Sequence, residues 1–245
     1  SVNSADNSCW VAASSDSYSY VMHLSSSGAE LWKSTYDSFW EAAAVSVSPA
    51  DGSCWVGDIW LKQVVRLTSA GTETVREGDL IAPSSVSTNP ADGSCWAADF
   101  DRGEIIHFGS DGTELWRGSG FAYPECVDVN PNDGSCWVTD SSNSQVVHLS
   151  AGGTELWRGS GFDYPDSVAV DPNDGSCWIG DWYKGEIIRV SSSGAILWRS
   201  SEDAFYMPES VSVNPVDRSV WVADYGNDQT VHLAAQADPL HLRAV

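Results

Sequence analysis

The sequence predicts an all-β protein made of six copies of one small antiparallel sheet. The phrase Gly-Ser-Cys-Trp occurs four times, and diverged copies of it occur twice. The tryptophans of the six copies are 45, 41, 41, 41 and 43 residues apart, at Trp10, Trp55, Trp96, Trp137, Trp178 and Trp221. A fixed period of this length is typical of repeat architectures, in which each unit buries its apolar face only against its neighbours. No segment shows the 3.6-residue periodicity of a helix, which excludes a helical solenoid.

Each repeat has room for four short strands. In the fourth repeat, Val127 and Val129 alternate with other residues, as in a strand. Turn-forming residues at 130–134, 141–144 and 151–153 then separate strands at 135–140, 145–149 and 154–158. Both faces of these strands carry apolar side chains, so each sheet needs a cover on both sides. We therefore predict a six-bladed β-propeller with four antiparallel strands per blade.

The first and last repeats depart from this pattern. Residues 1–3 align with 212–214, so the innermost strand of the first blade is nearly absent. Residues 240–243 are predicted to form the outermost strand of the sixth blade. The repeats follow one another without a linker, and residues 1–245 are therefore expected to form a single domain.

The repeated phrases resemble the NHL repeat over the whole chain. The matching order is Pro-x-x-Val-x-Val, then Gly-x-x-Trp-Val-x-Asp, then a third strand and an exposed glycine turn. The aspartate of the family motif is matched five times and replaced at Ser14, the matches being Asp58, Asp99, Asp140, Asp181 and Asp224. NHL-like propellers are mostly binding and scaffolding modules, while propellers of similar architecture include lyases and calcium-dependent lactonases. The resemblance implies the fold more strongly than the function.

The chain is strongly acidic, with a formal net charge of -22. Such a charge repels polyphosphate backbones and anionic membrane surfaces, so nucleic acid is excluded as a partner. No run of about 18 apolar residues is present, which excludes membrane insertion through a helix. Two explanations of the acidity stay open: a salt-adapted source, or the repeated Asp-Gly turns themselves.

The cysteines are predicted to be reduced and unpaired. Five of them share one repeat position, and equivalent positions in neighbouring blades lie farther apart than a disulfide allows: Cys9, Cys54, Cys95, Cys136 and Cys177. We expect these thiols to act as small buried apolar groups. Cys126 is the one outside the repeat.

Two further polar positions recur and are predicted to be structural. The repeated aspartate follows the second strand, where its carboxylate is expected to accept hydrogen bonds from the next loop. Another position, on the third strand, holds His23, His107, His148 and His232 in four blades and Arg66 and Arg189 in the other two. Zinc needs three or four ligands that converge on one point, and copies on separate blades do not converge.

Non-repeating carboxylates give the candidate metal site. Glu125, Asp166 and Glu209 each begin a first strand, where the channel of a propeller opens, and Asp128 lies deeper on the same strand as Glu125. Calcium prefers six to eight such oxygen ligands. The alternative, which we favour, is three solvated carboxylates that repel one another mildly.

Non-repeating aromatic residues give the candidate ligand-binding surface. They follow the second strands and differ between blades: Trp60, Phe100, Trp182, Tyr183 and Tyr225. Aromatic rings on an acidic face suit sugars, peptides or cations. Phe121 and Phe162 belong to a repeated phrase and are predicted to fill grooves between blades instead.

No nucleophile–base motif, phosphate-binding glycine loop or paired-cysteine metal motif is visible. We therefore predict a monomeric, non-catalytic binding or scaffold module without a cofactor, part of a larger secreted or cell-surface protein. Its ligand is expected to be a protein, a peptide or a carbohydrate. The alternative is a metal-dependent, lactonase-like hydrolase or lyase with a calcium ion at the mouth of the channel.

Overall fold

The computed structural model describes residues 1–15, 18–35, 37–234 and 243–244. The chain divides into two compact units, Ser1–Tyr123 and Pro124–Val245. Each unit contains three antiparallel sheets, in which strands that follow one another in sequence are paired. Within the described ranges, no helix is long and apolar enough to cross a membrane.

The first unit contains one three-stranded and two four-stranded sheets. The first sheet consists of β1 (Cys9–Ser15), β2 (Tyr18–Leu24) and β3 (Glu30–Lys33). At its inner edge, Val2 makes a single bridge with Cys9, which corresponds to the nearly absent strand expected from the sequence. The other two sheets consist of β4 (Ala42–Val47), β5 (Cys54–Asp58), β6 (Gln63–Leu67) and β7 (Glu73–Glu77), and of β8 (Pro83–Thr88), β9 (Cys95–Asp99), β10 (Glu104–Phe108) and β11 (Glu114–Ser119).

The second unit contains three four-stranded sheets. The first consists of β12 (Pro124–Val129), β13 (Cys136–Asp140), β14 (Gln145–Leu149) and β15 (Glu155–Ser160). The second consists of β16 (Pro165–Val170), β17 (Cys177–Asp181), β18 (Glu186–Val190) and β19 (Ile196–Arg199). The third consists of β20 (Pro208–Val213), β21 (Val220–Asp224), β22 (Gln229–Leu233) and β23 (Arg243–Ala244). Short 3-10 helices occupy Ser141–Asn143 and Tyr225–Asn227. Residues 240–242 of the predicted last strand lie outside the described residues, and β23 pairs with β22.

The turn before the repeated Cys-Trp pair explains the glycine of the phrase. Gly134 has a φ of 71°, in the left-handed region, and its amide donates to the carbonyl of Asn130 at 2.9 Å. Glycine reaches this conformation without steric cost. The diverged copies place Asn7 and Arg218 at the same point, with φ values of 59° and 62°. The backbone of the turn is therefore kept even where its glycine is lost.

The core is built from contacts between the tryptophan of one sheet and the second and third strands of the next. Trp137 is fully buried with Cys177 and Ile179 of the following sheet, and Trp55 is buried in the same way with Cys95. A cysteine is small enough to leave room for an indole ring at close packing density. The recurring Cys-Trp pair thus places one large and one small apolar group at successive positions of the second strand.

All six cysteines are free thiols in the structure. Burial raises the pKa of the Cys54 thiol to about 12, which keeps it protonated and unreactive at neutral pH. We expect alkylation under denaturing conditions to label all six thiols without prior reduction, as counted by mass spectrometry of the intact chain. The control is the same sample treated with a reductant first. Fewer labels before reduction than after it would reveal a disulfide and contradict this prediction.

Candidate functional site

The repeated aspartates hold the loops that enter each sheet. All five are fully buried. The carboxylate of Asp58 accepts hydrogen bonds from the amides of Trp40, at 2.9 Å, and Leu61, at 3.0 Å. Asp224 accepts one from the amide of Tyr206 at 2.7 Å. Each of these carboxylates ties the loop before the first strand to the end of the second strand, which is a structural role.

The repeated histidines are also engaged within their own sheets. The rings stack on the tryptophans of the second strands, with centroid distances of 4.5, 4.3, 4.2 and 4.3 Å for His23, His107, His148 and His232. The Nε2 atoms of the first three are hydrogen-bonded with serine hydroxyls at 2.9–3.0 Å. Burial lowers the pKa of His148, so this imidazole is neutral at pH 7.

Three carboxylates of the second unit lie on neighbouring sheets, and the charges of two of them act on the third. Glu125, Asp166 and Glu209 each occupy the second position of an innermost strand, after a proline. Burial, followed by the negative charges of Glu125 and Glu209, raises the pKa of Asp166 to about 7. Asp166 therefore holds a proton for part of the time at neutral pH, because its charged form is both desolvated and repelled. We call these three residues the carboxylate cluster.

A tyrosine orients one member of the cluster. The hydroxyl of Tyr164 donates a hydrogen bond to Oε1 of Glu125 at 2.9 Å. Burial raises the pKa of Glu125, and this hydrogen bond opposes the rise. Tyr164 precedes Pro165 with a φ of 59°, a conformation that Tyr123 and Met207 share before their prolines. The strained backbone is thus a feature of the repeat, whereas the hydrogen bond to Glu125 is particular to this sheet.

The structure gives Asp128 a different surrounding from that of the cluster. Its Oδ2 accepts a hydrogen bond from the amide of Val170 at 2.8 Å, and its Oδ1 accepts one from the amide of Val129 at 3.1 Å. Ser46 accepts the equivalent bond from Thr88 in the first unit. This side chain therefore links the innermost strands of adjacent sheets. Within the described ranges, no group of three or more His, Cys, Asp or Glu side chains has the arrangement of a metal site.

In the first unit the predicted aromatic residues occur in stacked pairs. Trp60 stacks on Trp40 with 6.0 Å between ring centroids, and both rings are more than half exposed. Phe100 stacks on Tyr123 at 4.7 Å. Each pair joins the loop after a second strand to the loop that enters a sheet. The sequence singled out one partner of each pair.

In the second unit the aromatic residues form two ring pairs, and one further tyrosine packs over a glycine. Tyr183 contacts Tyr164 edge-on at 5.5 Å, and Trp182 stacks on Tyr225 at 5.9 Å. Tyr206 packs over Gly226, where an added Cβ would lie 2.2 Å from the ring. Tyr183, Tyr206 and Tyr225 are 62%, 55% and 59% exposed. We call Tyr164, Trp182, Tyr183, Tyr206 and Tyr225 the aromatic surface.

The aromatic surface and the carboxylate cluster meet at two points. One is the hydrogen bond between Tyr164 and Glu125. The other is a shallow cavity of about 370 Å³, lined in part by Glu209, Tyr225 and Asp228. The structure therefore brings together the predicted residues Trp182, Tyr183 and Tyr225 with Glu125, Asp166 and Glu209. It adds Tyr164, Tyr206 and Asp228, which the sequence did not single out.

No protein-family model matches the sequence, and no curated protein sequence is similar to it. Solved structures nevertheless share its fold over nearly the whole chain, and the fold is that of a β-propeller. One is a streptogramin B lyase, with 14% identity and a TM-score of 0.74 over 98% of this chain and 83% of the other.

Two further structures are similar to the same degree. A catalytically inactive virginiamycin B lyase from Staphylococcus aureus, solved with quinupristin, has 15% identity and a TM-score of 0.72 over 97% of this chain and 88% of the other. A protein of unknown function from Bacteroides caccae has 13% identity and a TM-score of 0.67 over 97% and 94%. At these identities the likeness concerns the fold alone.

Proposed function

We propose that this chain is a non-catalytic binding module that binds its ligand on the aromatic surface of the second unit. In this proposal the chain is a single six-bladed propeller of the NHL type, with four strands in every blade except the first. The observation that carries the proposal is the hydrogen bond from the Tyr164 hydroxyl to Oε1 of Glu125, which joins the aromatic surface to the carboxylate cluster. In the same cluster Asp166 is partly buried, and burial and the charges of Glu125 and Glu209 raise its pKa. An arrangement that costs stability in the free protein is typical of a functional site.

The exposed rings support the same proposal. Tyrosine and tryptophan are enriched at binding interfaces because they offer a large rigid contact area together with a polar group. Four of them form two ring pairs and the fifth packs over Gly226, and these contacts are already made in the free chain. A surface organised in advance loses little conformational entropy when a ligand docks.

The histidines argue against the activity of the similar lyases. The four described histidines lie on third strands, and each stacks on a tryptophan of its own sheet. A general acid or base has to come within hydrogen-bond reach of a substrate. Each of these rings is already engaged in a stack within its own sheet, and we therefore propose binding without catalysis.

Selection from a random peptide library tests the proposed function. The wild-type chain alone serves as the target, and the affinity of the selected peptides is then measured for the variant Tyr183→Ala/Tyr225→Ala. We expect the selected peptides to bind the wild type and to lose most of their affinity for this variant. The pair variant Trp40→Ala/Trp60→Ala is the matched control, because it removes two exposed stacked rings from the first unit. Selected peptides that bind the Tyr183/Tyr225 variant as tightly as the wild type would contradict the proposal.

The calcium-dependent alternative has a separate test. We expect the thermal midpoint of unfolding to respond equally to CaCl₂ and NaCl at matched ionic strength, because a diffuse ion atmosphere depends on ionic strength alone. A specific site would instead stabilise the native state by mass action at micromolar Ca²⁺. A saturable calcium response that is abolished in Glu125→Gln/Glu209→Gln would overturn this expectation and favour the hydrolase or lyase alternative.

A further inference from the structure

We propose that the ligand of the aromatic surface is an arginine-bearing segment of another protein, whose guanidinium groups stack on the exposed tyrosine rings and pair with the carboxylate cluster. This inference rests on the proposed function and names the class of partner. It depends on charge complementarity, on the geometry of the rings and on the shape of the adjoining cavity.

The charge of the surface is complementary to a cationic partner. Glu125, Asp166 and Glu209 lie at one border of the rings, and Asp228 lies with Glu209 at the cavity. Burial of Asp166 between two like charges disfavours its ionised form. A bound cation would reverse this effect because it replaces repulsion by attraction. The net charge of -22 adds long-range steering toward basic partners.

The rings suit a planar cation. Tyr183 and Tyr225 expose about three fifths of their surface and are each held by a neighbouring ring. A guanidinium group can lie flat on such a ring and still direct its N–H groups toward a carboxylate. The hydrogen bond from Tyr164 fixes Oε1 of Glu125, so one acceptor is oriented before the ligand arrives.

The shape of the site favours a peptide. The cavity of about 370 Å³ is open and shallow, and its lining places the carboxylates of Glu209 and Asp228 beside the ring of Tyr225. A small ligand is usually held in a deeper pocket that buries most of its surface. An extended segment can place successive side chains at the cluster and at the cavity. Arginine binds more strongly than lysine at such sites because its planar guanidinium group pairs with both oxygens of a carboxylate.

The test uses fluorescence anisotropy with a short labelled peptide of alternating arginine and glycine. Peptides in which lysine or citrulline replaces every arginine are compared at the same ionic strength. Citrulline keeps the shape of arginine and removes its charge. We expect the arginine peptide to bind at least about fivefold more tightly than the lysine peptide, and the citrulline peptide to bind at least about thirtyfold more weakly.

Variants locate the binding. Asp166→Asn/Glu209→Gln is expected to weaken binding of the arginine peptide by about tenfold or more, and Tyr183→Ala/Tyr225→Ala by a similar factor. The matched control, Glu30→Gln/Glu73→Gln, removes two carboxylates from exposed positions of β3 and β7, where Glu73 pairs with Arg76, and is expected to change affinity less than about twofold. Circular dichroism confirms that each variant is folded.

The pH dependence gives an independent readout. The groups that act on Asp166 are Glu125 and Glu209, and Tyr164 faces Glu125. Affinity for the arginine peptide should rise between about pH 6 and pH 8 as Asp166 ionises, and the rise should be lost in Asp166→Asn.

Equal loss of affinity in the cluster variant and the Glu30/Glu73 control would show diffuse attraction and overturn the inference. Equal binding of the arginine and citrulline peptides would overturn it too. If library peptides without arginine bind through Tyr183 and Tyr225 while the arginine peptide does not, this inference fails and the proposed binding function stands.

Discussion

Replacement of Trp137 by alanine is expected to lower the free energy of unfolding by about 3–5 kcal/mol. The indole is fully buried between two sheets. It stacks on His148 with centroids 4.2 Å apart and packs against Trp157 at 5.6 Å. Alanine would leave a cavity among Cys177, Ile179 and their neighbours, and strands that are paired on both sides cannot close it.

Urea-induced unfolding followed by fluorescence and circular dichroism measures this loss. The chain offers a matched control at the same repeat position, because Trp221 also stacks on a histidine, at 4.3 Å, but is 45% exposed. We expect Trp221→Ala to cost only about 1 kcal/mol. A loss below about 1 kcal/mol for Trp137→Ala, or equal losses for the two variants, would show that burial between sheets does not set the effect.

The fold was largely predictable because the same local signals return in every repeat. The turn formers at 130–134 mark the connection between β12 and β13, and the third strand predicted at 145–149 coincides with β14. The Cys-Trp pair predicted buried positions in the four inner repeats, as at Cys136 and Trp137, whereas Cys9 of the first pair is only partly buried. The near absence of a strand at 1–3 was also predictable from the repeat, and only the bridge between Val2 and Cys9 forms there.

The candidate site was predictable only in part. Glu125, Asp166 and Glu209 share one register position, so their placement on neighbouring strands follows from the repeat, and burial and the charges of the other two raise the pKa of Asp166. The contacts of Asp128 were not predictable from the sequence, because its hydrogen bond with the amide of Val170 depends on the distance between adjacent sheets. Sequence periodicity does not specify that distance.

Tyr164 shows why a repeat can conceal a residue whose contacts differ from those of its copies. It belongs to the phrase Gly-Phe-x-Tyr-Pro, which also contains Tyr123, and the sequence therefore gave no reason to separate the two. The structure separates them by their neighbours: Tyr123 stacks on Phe100, whereas Tyr164 contacts Tyr183 and donates to Glu125. A carboxylate one blade earlier was the signal that distinguished them.

Asp166→Asn is expected to stabilise the folded chain by about 2 kcal/mol above pH 7, with an effect that fades in acid. The pKa of Asp166 is raised from 3.8 to about 7, first by burial and then by the charges of Glu125 and Glu209. Its folded state therefore binds a proton more tightly than its unfolded state does. Between about pH 4 and pH 7 the wild type loses stability as pH rises, because unfolding releases that proton.

Asparagine has no proton to lose and keeps the shape of the protonated acid, so the gain over the wild type grows through this interval and is constant above it. The expected 2 kcal/mol is about half of the free energy that corresponds to the difference between the folded and unfolded pKa of Asp166. The value is reduced because water screens the partly exposed carboxylate. Urea unfolding at about pH 4.5 and pH 8 measures the gain in the free energy of unfolding. The control is Asp101→Asn, at an exposed position, which is expected to change this free energy by less than about 0.5 kcal/mol at either pH. A gain that is equal at the two pH values would show that removal of charge near Glu125 and Glu209 is not its cause. A gain confined to neutral and alkaline pH would show that the ionised form of Asp166 is what destabilises the free chain.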